Sequence, residues 1–245
     1  MLGLSSTLSN TDNSFLSKRF LLGTDSPSDG NARLRLWLKF NTGQTVTSSP
    51  DVDQWTDQTD ENNHATQSTA DNKPHADNGA LLFDGTNHFM ELGDVVVSSE
   101  EGFTLFTGIN PDSCTQKCIL GIGATTAFIE LYTAKKLRIK IAGSAVIFTA
   151  DEADVFGPDK DYVLAIKRES GATGAITVYK NGVQVSGNSV SNAGAITFSS
   201  LGDRNEDRLF DGHMYEIAVF ENGDLTNDEI LDISEDICFR SGIGL

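Results

Sequence analysis

Asn181-Gly182 stands between two alternating runs, residues 175–180 and 183–185. An Asn-Gly pair takes positive φ at both central positions of a type I′ turn, whose twist matches the strands on either side. The stretch therefore predicts a two-residue β-hairpin, and a hairpin commits its neighbourhood to antiparallel pairing. The same period of two recurs along the chain. Leu34, Leu36 and Leu38 alternate with Arg33, Arg35 and Trp37, the mark of a half-buried strand. Short strands are further predicted over 81–83, 89–92, 103–109, 119–122, 128–132, 137–141, 146–149, 162–168, 195–201 and 209–220. In the last, Met214, Glu216, Ala218 and Phe220 alternate with Tyr215, Ile217 and Val219.

One helix is predicted, over 226–238. Thr226 as N-cap and Glu229 three residues on make a capping box, with Leu225 and Ile230 placed to staple it. Asp228 and Glu229 sit where the helix dipole favours negative charge. Ile230, Ile233 and Ile237 recur at helical spacing and should face the β structure. Residues 41–79 read differently, as a long polar and irregular stretch. It carries Asp51, Asp53, Asp57, Asp60, Glu61, Asp71 and Asp77 between positions 51 and 77, against Lys73 alone. So long an irregular segment inside a compact domain is usually functional or mobile. Residues 1–32 stand apart as an N-terminal arm, rich in Ser, Thr and Asn and closed by a run of turn formers. Its anchors are Leu2, Leu4, Leu8, Phe15, Leu16, Phe20, Leu21 and Leu22, which would dock on the chain's own domain or on a neighbouring subunit.

Composition excludes several functions. A chain of 245 residues with 14 Phe and 23 Gly fits one turn-rich β domain, residues 33–245, behind the arm. Eighteen basic against 35 acidic residues give a net charge of −17, which repels phosphate backbones and anionic membranes. The densest basic group, Lys135, Lys136, Arg138 and Lys140, lies inside a predicted strand. Nucleic acid is therefore not expected as a partner. No segment is apolar enough to span a membrane and no secretion signal opens the chain, so membrane insertion is not expected either. Cys114, Cys118 and Cys238 are too few for a disulfide framework. Cys114 and Cys118 could be bridged or bind metal; free thiols in a reducing cytoplasm are the plainer reading.

Short motifs complete the pattern. Trp55-Thr56-Asp57 precedes Asn63-His64-Ala65-Thr66 and then Leu82-Phe83-Asp84-Gly85. Tyr179-Lys180-Asn181-Gly182-Val183 follows, and Phe210-Asp211-Gly212 leads into Glu216-Ile217-Ala218-Val219-Phe220 ahead of the Leu225-Thr226 helix start. Taken together these resemble the laminin-G-like, concanavalin A-like lectin/glucanase superfamily, of the kind found in bacteriophage virion proteins. One departure shows at Asp60-Glu61-Asn62-Asn63, where relatives often carry a Ser-Gly-Asn-Gly turn. The resemblance implies an all-β, antiparallel two-sheet jelly-roll sandwich with one short C-terminal helix. It also implies that Trp55 anchors its loop in the core rather than offering a platform for a sugar. Many such domains hold calcium at one rim, which makes Asp84, Asn87, Asp203, Asn205 and Asp207 candidate ligands. The plainer alternative is a solvated acidic turn neutralised by Arg204 and Arg208.

The fold carries enzymes, sugar binders and structural modules alike, so function must be argued from the site. Its hydrolases place two or three carboxylates on one strand face, with the separation set by the mechanism. No such Glu-x-Asp string appears in a β context. Glu229, Asp232 and Glu235 are spaced for a helix, and Asp151, Glu152 and Asp154 fall in a turn-like segment. The expectation is a non-enzymatic structural or interaction protein, a virion component made without a signal peptide in the host cytoplasm. Its partners would be other virion proteins or copies of itself. The alternative is a carbohydrate-binding lectin module for host-surface glycans, and a glycoside hydrolase is the third reading.

Overall fold

The computed structural model describes residues 33–98, 101–122, 126–204, 208–221 and 225–244. The arm at 1–32, with all eight of its anchors, and Asn205 and Asp207 lie outside the described residues. In chain order the first strands are β1 (Arg33–Leu38), β2 (Gln44–Ser48), β3 (Asp51–Trp55), β4 (Ala65–Thr66), β5 (His75–Asp77) and β6 (Ala80–Asp84). Then come β7 (Met90–Val97), β8 (Phe103–Pro111), β9 (Lys117–Gly121), β10 (Phe128–Thr133), β11 (Lys136–Ile141) and β12 (Ser144–Thr149). The last are β13 (Tyr162–Arg168), β14 (Ala175–Lys180), β15 (Val183–Gln184), β16 (Val190–Ser191), β17 (Ile196–Leu201) and β18 (Asp211–Glu221), followed by helix α1 (Asn227–Ser241).

All register pairings among these strands are antiparallel. They link into one network that runs β12–β11–β10–β9–β17–β7–β4–β3–β5–β6–β18–β8–β13–β14. Two places along it are thin. β3 meets β5 through the single pair Asp51↔His75. Among the described residues the ladder pairing between the two ends is a single isolated bridge, Ala150↔Gly187. The network thus nearly closes on itself, although among the described residues β1, β2 and β12 each pair along one side only. The antiparallel, helix-poor architecture is as the sequence implies, but its pairing is continuous rather than divided into two separate sheets.

The stretch 41–79 is not irregular. It holds β2, β3, β4 and β5, with a 3-10 turn at Ala70–Asn72. Val52, Trp55 and Ala65 are its fully buried apolar side chains, and most of β2 is exposed. With so few inward residues, the period of two is hidden in the sequence by polar outward ones. Trp55 is fully buried and donates its indole N–H to the Lys39 carbonyl at 3.0 Å, so it is the anchor expected of it. The departing turn is stable in another way. Asn62 takes a φ of 58°, which Asn tolerates, and Asp57 accepts from the backbone N–H groups of Trp37, Thr59 and Asn63.

Two apolar clusters fill the molecule. The larger lies inside the strand network and includes Leu36, Trp55, Phe83, Leu105, Ile129, Phe156, Phe198 and Val219. The smaller lies between α1 and the outer surface of β1, β18, β8 and β13, where Ile230, Ile233 and Ile237 meet Trp37, Phe106, Val163 and Phe220. Full burial of each of those three isoleucines is worth roughly 1.5–3 kcal/mol. The capping box is present: Thr226 Oγ1 accepts from Glu229 N at 3.3 Å, and Thr226 N donates to Glu229 Oε2 at 2.8 Å. Gly242 closes the helix in the left-handed region, φ 71°. The hairpin is also as predicted, with Asn181 at φ 49° and Gly182 at φ 76°.

Bulges in β1 and β18 break the alternation read from sequence. In β1 the register shifts between Leu34 and Leu36, so Leu34 packs with the helix cluster while Leu36 and Leu38 enter the larger core. In β18 it shifts between Met214 and Glu216. Met214 therefore joins Ile217 and Val219 in the larger core, not Ala218 and Phe220. An extra residue in one strand flips every side chain after it, and no local pattern announces that.

Candidate functional site

The described calcium candidates sit in two places. Asp84 ends β6, and its Oδ1 accepts from the backbone N–H groups of Thr86, Asn87 and His88 at 2.9–3.0 Å. Burial acts to raise the pKa of this carboxyl, and the three N–H donors more than offset it, so it stays ionised below its ordinary value. Asn87 contributes its backbone N–H to the same turn. Asp203 is 4% exposed, and its carbonyl accepts from the Cys118 thiol at 3.1 Å. Among the described residues, no group of three or more His, Cys, Asp or Glu side chains is arranged to hold a metal ion. Cys114, Cys118 and Cys238 are all free and buried.

The histidines acquire partners that sequence spacing could not show. His64 Nδ1 accepts from Asp57 N at 3.2 Å. His88 is buried, 3.7 Å from Asp84 and ring to ring with His75 at 4.8 Å. Burial pushes its pKa down against the pull of Asp84.

Two fully buried carboxylates also went unread in the sequence. Glu130 on β10 lies 2.7 Å from Arg138, 3.4 Å from Arg208 and 3.5 Å from Arg204. Burial raises its pKa against the pull of these three guanidiniums. Glu216 on β18 accepts from Trp37 Nε1 at 2.7 Å and from Arg240 Nη2 at 2.6 Å. Both are tied to arginines inside the protein, an arrangement that holds elements together. Neither offers a reacting face.

The open site lies at the closing bridge. After β15 the chain leaves β14, arcs out through residues 185–189 and returns as β16, which pairs at Ala175 and Ile176. At the top of that arc Asn188 N donates to Thr149 O at 3.1 Å and Asp151 N to Ser186 O at 2.9 Å. Asn188 also spans the gap with its side chain, donating from Nδ2 to Ile147 O at 3.1 Å. Gly187 is needed there: a Cβ would lie 2.5 Å from Thr149 O and 2.6 Å from Phe148 Cζ. The arc encloses a cleft of about 500 Å³ against β14. Phe148, Ile176 and Val178, almost wholly buried in the larger core, close its base, and Asp151, Thr177, Gln184, Ser186, Asn188 and Ser189 make its polar rim.

That size falls within the roughly 300–1,000 Å³ range usual for small-ligand sites, and its accessible lining is more polar than is usual for them. The rim offers hydroxyls, amides and one carboxylate. Its lining includes no histidine, no cysteine and no second acid, so it can hold a polyhydroxylated ligand but has no acid–base pair to act on one. Sequence reading passed over the cleft because its polar residues look like ordinary turn formers. The signal that could have pointed to it is the short spacing between the hairpin and the next strand, which forces the arc.

No family model matches the chain, and no curated protein matches it. Solved structures do. Domain 4 of AbnA, a GH43 extracellular arabinanase from Geobacillus stearothermophilus in complex with arabinotriose, matches with a TM-score of 0.59 at 19% identity, over 83% of this chain and 99% of that one. Trypanosoma rangeli sialidase in complex with the inhibitor DANA matches at 0.52 and 17%, over 86% of this chain and 34% of the sialidase. A botulinum neurotoxin type C structure, described through its interaction with two ganglioside molecules, matches at 0.51 and 14%, over 81% of this chain and 52% of that one. At such identities the likeness is one of fold. None of these three bears on a virus particle.

Proposed function

We propose that this protein is a non-enzymatic, glycan-binding module on a lectin-type jelly-roll sandwich, taking a neutral saccharide in the cleft between β12 and the β14–β16 arc. The observation that carries the reading is the lining: a mainly polar cleft of hydroxyl, amide and single-carboxylate groups, with no acid–base pair. The fold-level matches support it. One is to a domain in complex with arabinotriose, and another, to a toxin described by its interaction with gangliosides, supports glycan binding but not the neutral class. Carried on a phage particle, such a module would give the virion a means of touching host-surface glycans. That placement is part of the proposal and rests on the sequence resemblance alone.

A glycan microarray probed with the full chain, followed by calorimetry on the hits, tests the reading. Binding is expected, and Thr177→Val and Gln184→Ala should each weaken it about tenfold, the worth of one good hydrogen bond to a ligand. An array at background throughout would refute glycan binding. Release of shorter sugars from a bound oligosaccharide would refute the non-enzymatic part.

A further inference from the structure

The outer surface of β18 is covered by α1 only along part of its length. Under the helix lie Trp37, Phe106, Ala218 and Phe220. The margin falls at Gly108 on β8, where a Cβ would lie 3.2 Å from Ile237, 3.3 Å from Ile243 and 3.4 Å from Tyr215. Beyond that margin stand Phe40, His213 and Tyr215. Strand alternation puts His213 and Tyr215 on one face, with ring centroids 6.2 Å apart and planes only 17° from parallel. Met214 pairs with Ile109 and Glu216 with Gly108, so Tyr215 is the extra residue, and the bulge keeps Glu216 and Ala218 on the same outer surface beside the rings. Phe40 approaches Tyr215 at 6.1 Å, tilted by 51°.

Two carboxylates border these rings. Tyr215 donates its hydroxyl to Asp161 Oδ1 at 2.7 Å, and His213 Nε2 lies 2.8 Å from Asp77 Oδ2. Asp77 and His213 keep 41% and 25% of their side-chain surface exposed. Half-buried aromatic rings bordered by hydrogen-bond acceptors match the two surfaces of a sugar ring. Its C–H face is apolar and stacks on an aromatic ring, while its hydroxyls point outward in the plane. Charge narrows the class. Two carboxylates at the rim of a protein of net charge −17 repel an anionic sugar and accept from a neutral one.

We infer that Phe40, His213 and Tyr215, bordered by Asp77 and Asp161, form a second saccharide subsite, which takes a neutral sugar ring and excludes uronates and sialylated glycans. The inference rests on the glycan-binding reading but not on the cleft. The full chain is titrated calorimetrically with arabinotriose, cellotriose and lactose, and with trigalacturonate as the anionic control, each up to about 10 mM, a range that reaches even weak millimolar sites. At least one neutral sugar should bind and trigalacturonate should not. Asp161→Ala, at an exposed position, and Asp77→Ala should each weaken that binding about tenfold, with the melting temperature held as a check on folding. Tyr215→Phe keeps the ring and removes the hydroxyl, so it should lose less than Tyr215→Ala. If neither Asp variant changes the isotherm while Gln184→Ala does, this subsite is refuted and the cleft stands. If the Asp variants weaken binding and the cleft variants do not, the subsite stands and the cleft reading falls. No binding of any neutral sugar overturns both, and binding of trigalacturonate overturns the choice of ligand class.

Discussion

Glu216 ties three elements together through one side chain. It is fully buried on β18, and it accepts from the Trp37 indole of β1, from the Phe40 backbone at 3.3 Å and from Arg240 near the end of α1. A leucine in its place would leave the guanidinium, the indole N–H and the Phe40 N–H without this acceptor. Breaking a buried ion pair from one side costs about 3–5 kcal/mol, a large part of the stability of an ordinary domain. Urea denaturation of Glu216→Leu should show a loss of that size, and Glu216→Gln, which keeps an acceptor, a smaller one. A loss below about 1 kcal/mol for the leucine variant would mean that Arg240 finds a replacement partner. None of this was legible beforehand. Alternation set Glu216 on one face with Met214, and the bulge at Tyr215 separated them. Trp37 is 179 positions away along the chain, a distance across which no sequence pattern carries information.

Elements were readable in proportion to how locally their reasons lie. The capping box of α1 needs only Thr226 and Glu229, and the I′ turn needs only Asn181 and Gly182, so both were fully written in the sequence. The strands between 41 and 79 were not, because β2 to β5 are short and show few apolar residues. What makes them strands is their partners, such as Leu92 of β7 opposite Ala65 and Leu82 of β6 opposite His75. The same reasoning explains why the cleft was missed, since it exists only where Thr149–Asp151 meets Ser186–Asn188 across the closing bridge. The hairpin also has a role that its own sequence does not show. A Cβ on Gly182 would lie 2.6 Å from Leu231 Cδ1 and 2.8 Å from Leu231 Cα, so the turn is seated against the helix backbone. Gly182→Ala therefore adds a clash with α1 to the roughly 1 kcal/mol cost of a left-handed alanine. A loss of more than about 2 kcal/mol in urea denaturation is expected, with a destabilising component that Asn181→Gly does not share. Equal and small losses for the two variants would show that hairpin and helix are not coupled.

Over the whole molecule, the described strands form one nearly closed antiparallel network. Composition and alternation were enough to announce that architecture; the continuity of its pairing depends on single contacts such as Asp51↔His75 and Ala150↔Gly187, which have no sequence mark. We propose that residues 1–32 serve assembly rather than the fold. Exposing the apolar side chains of Leu2, Leu4, Leu8, Phe15, Leu16, Phe20, Leu21 and Leu22 to water costs about 25 cal/mol per Å², so a partner surface that covers them is the natural destination. A chain beginning at Arg33 should then melt within about 2 °C of the full chain, because the clusters it needs remain. Light scattering should show the full chain forming a larger species that the shortened one does not. A large drop in melting temperature would instead make residues 1–32 part of the domain's own core. Equal melting and equal mass would leave the anchors without a docking role, and with them would go the reason for setting residues 1–32 apart from the domain.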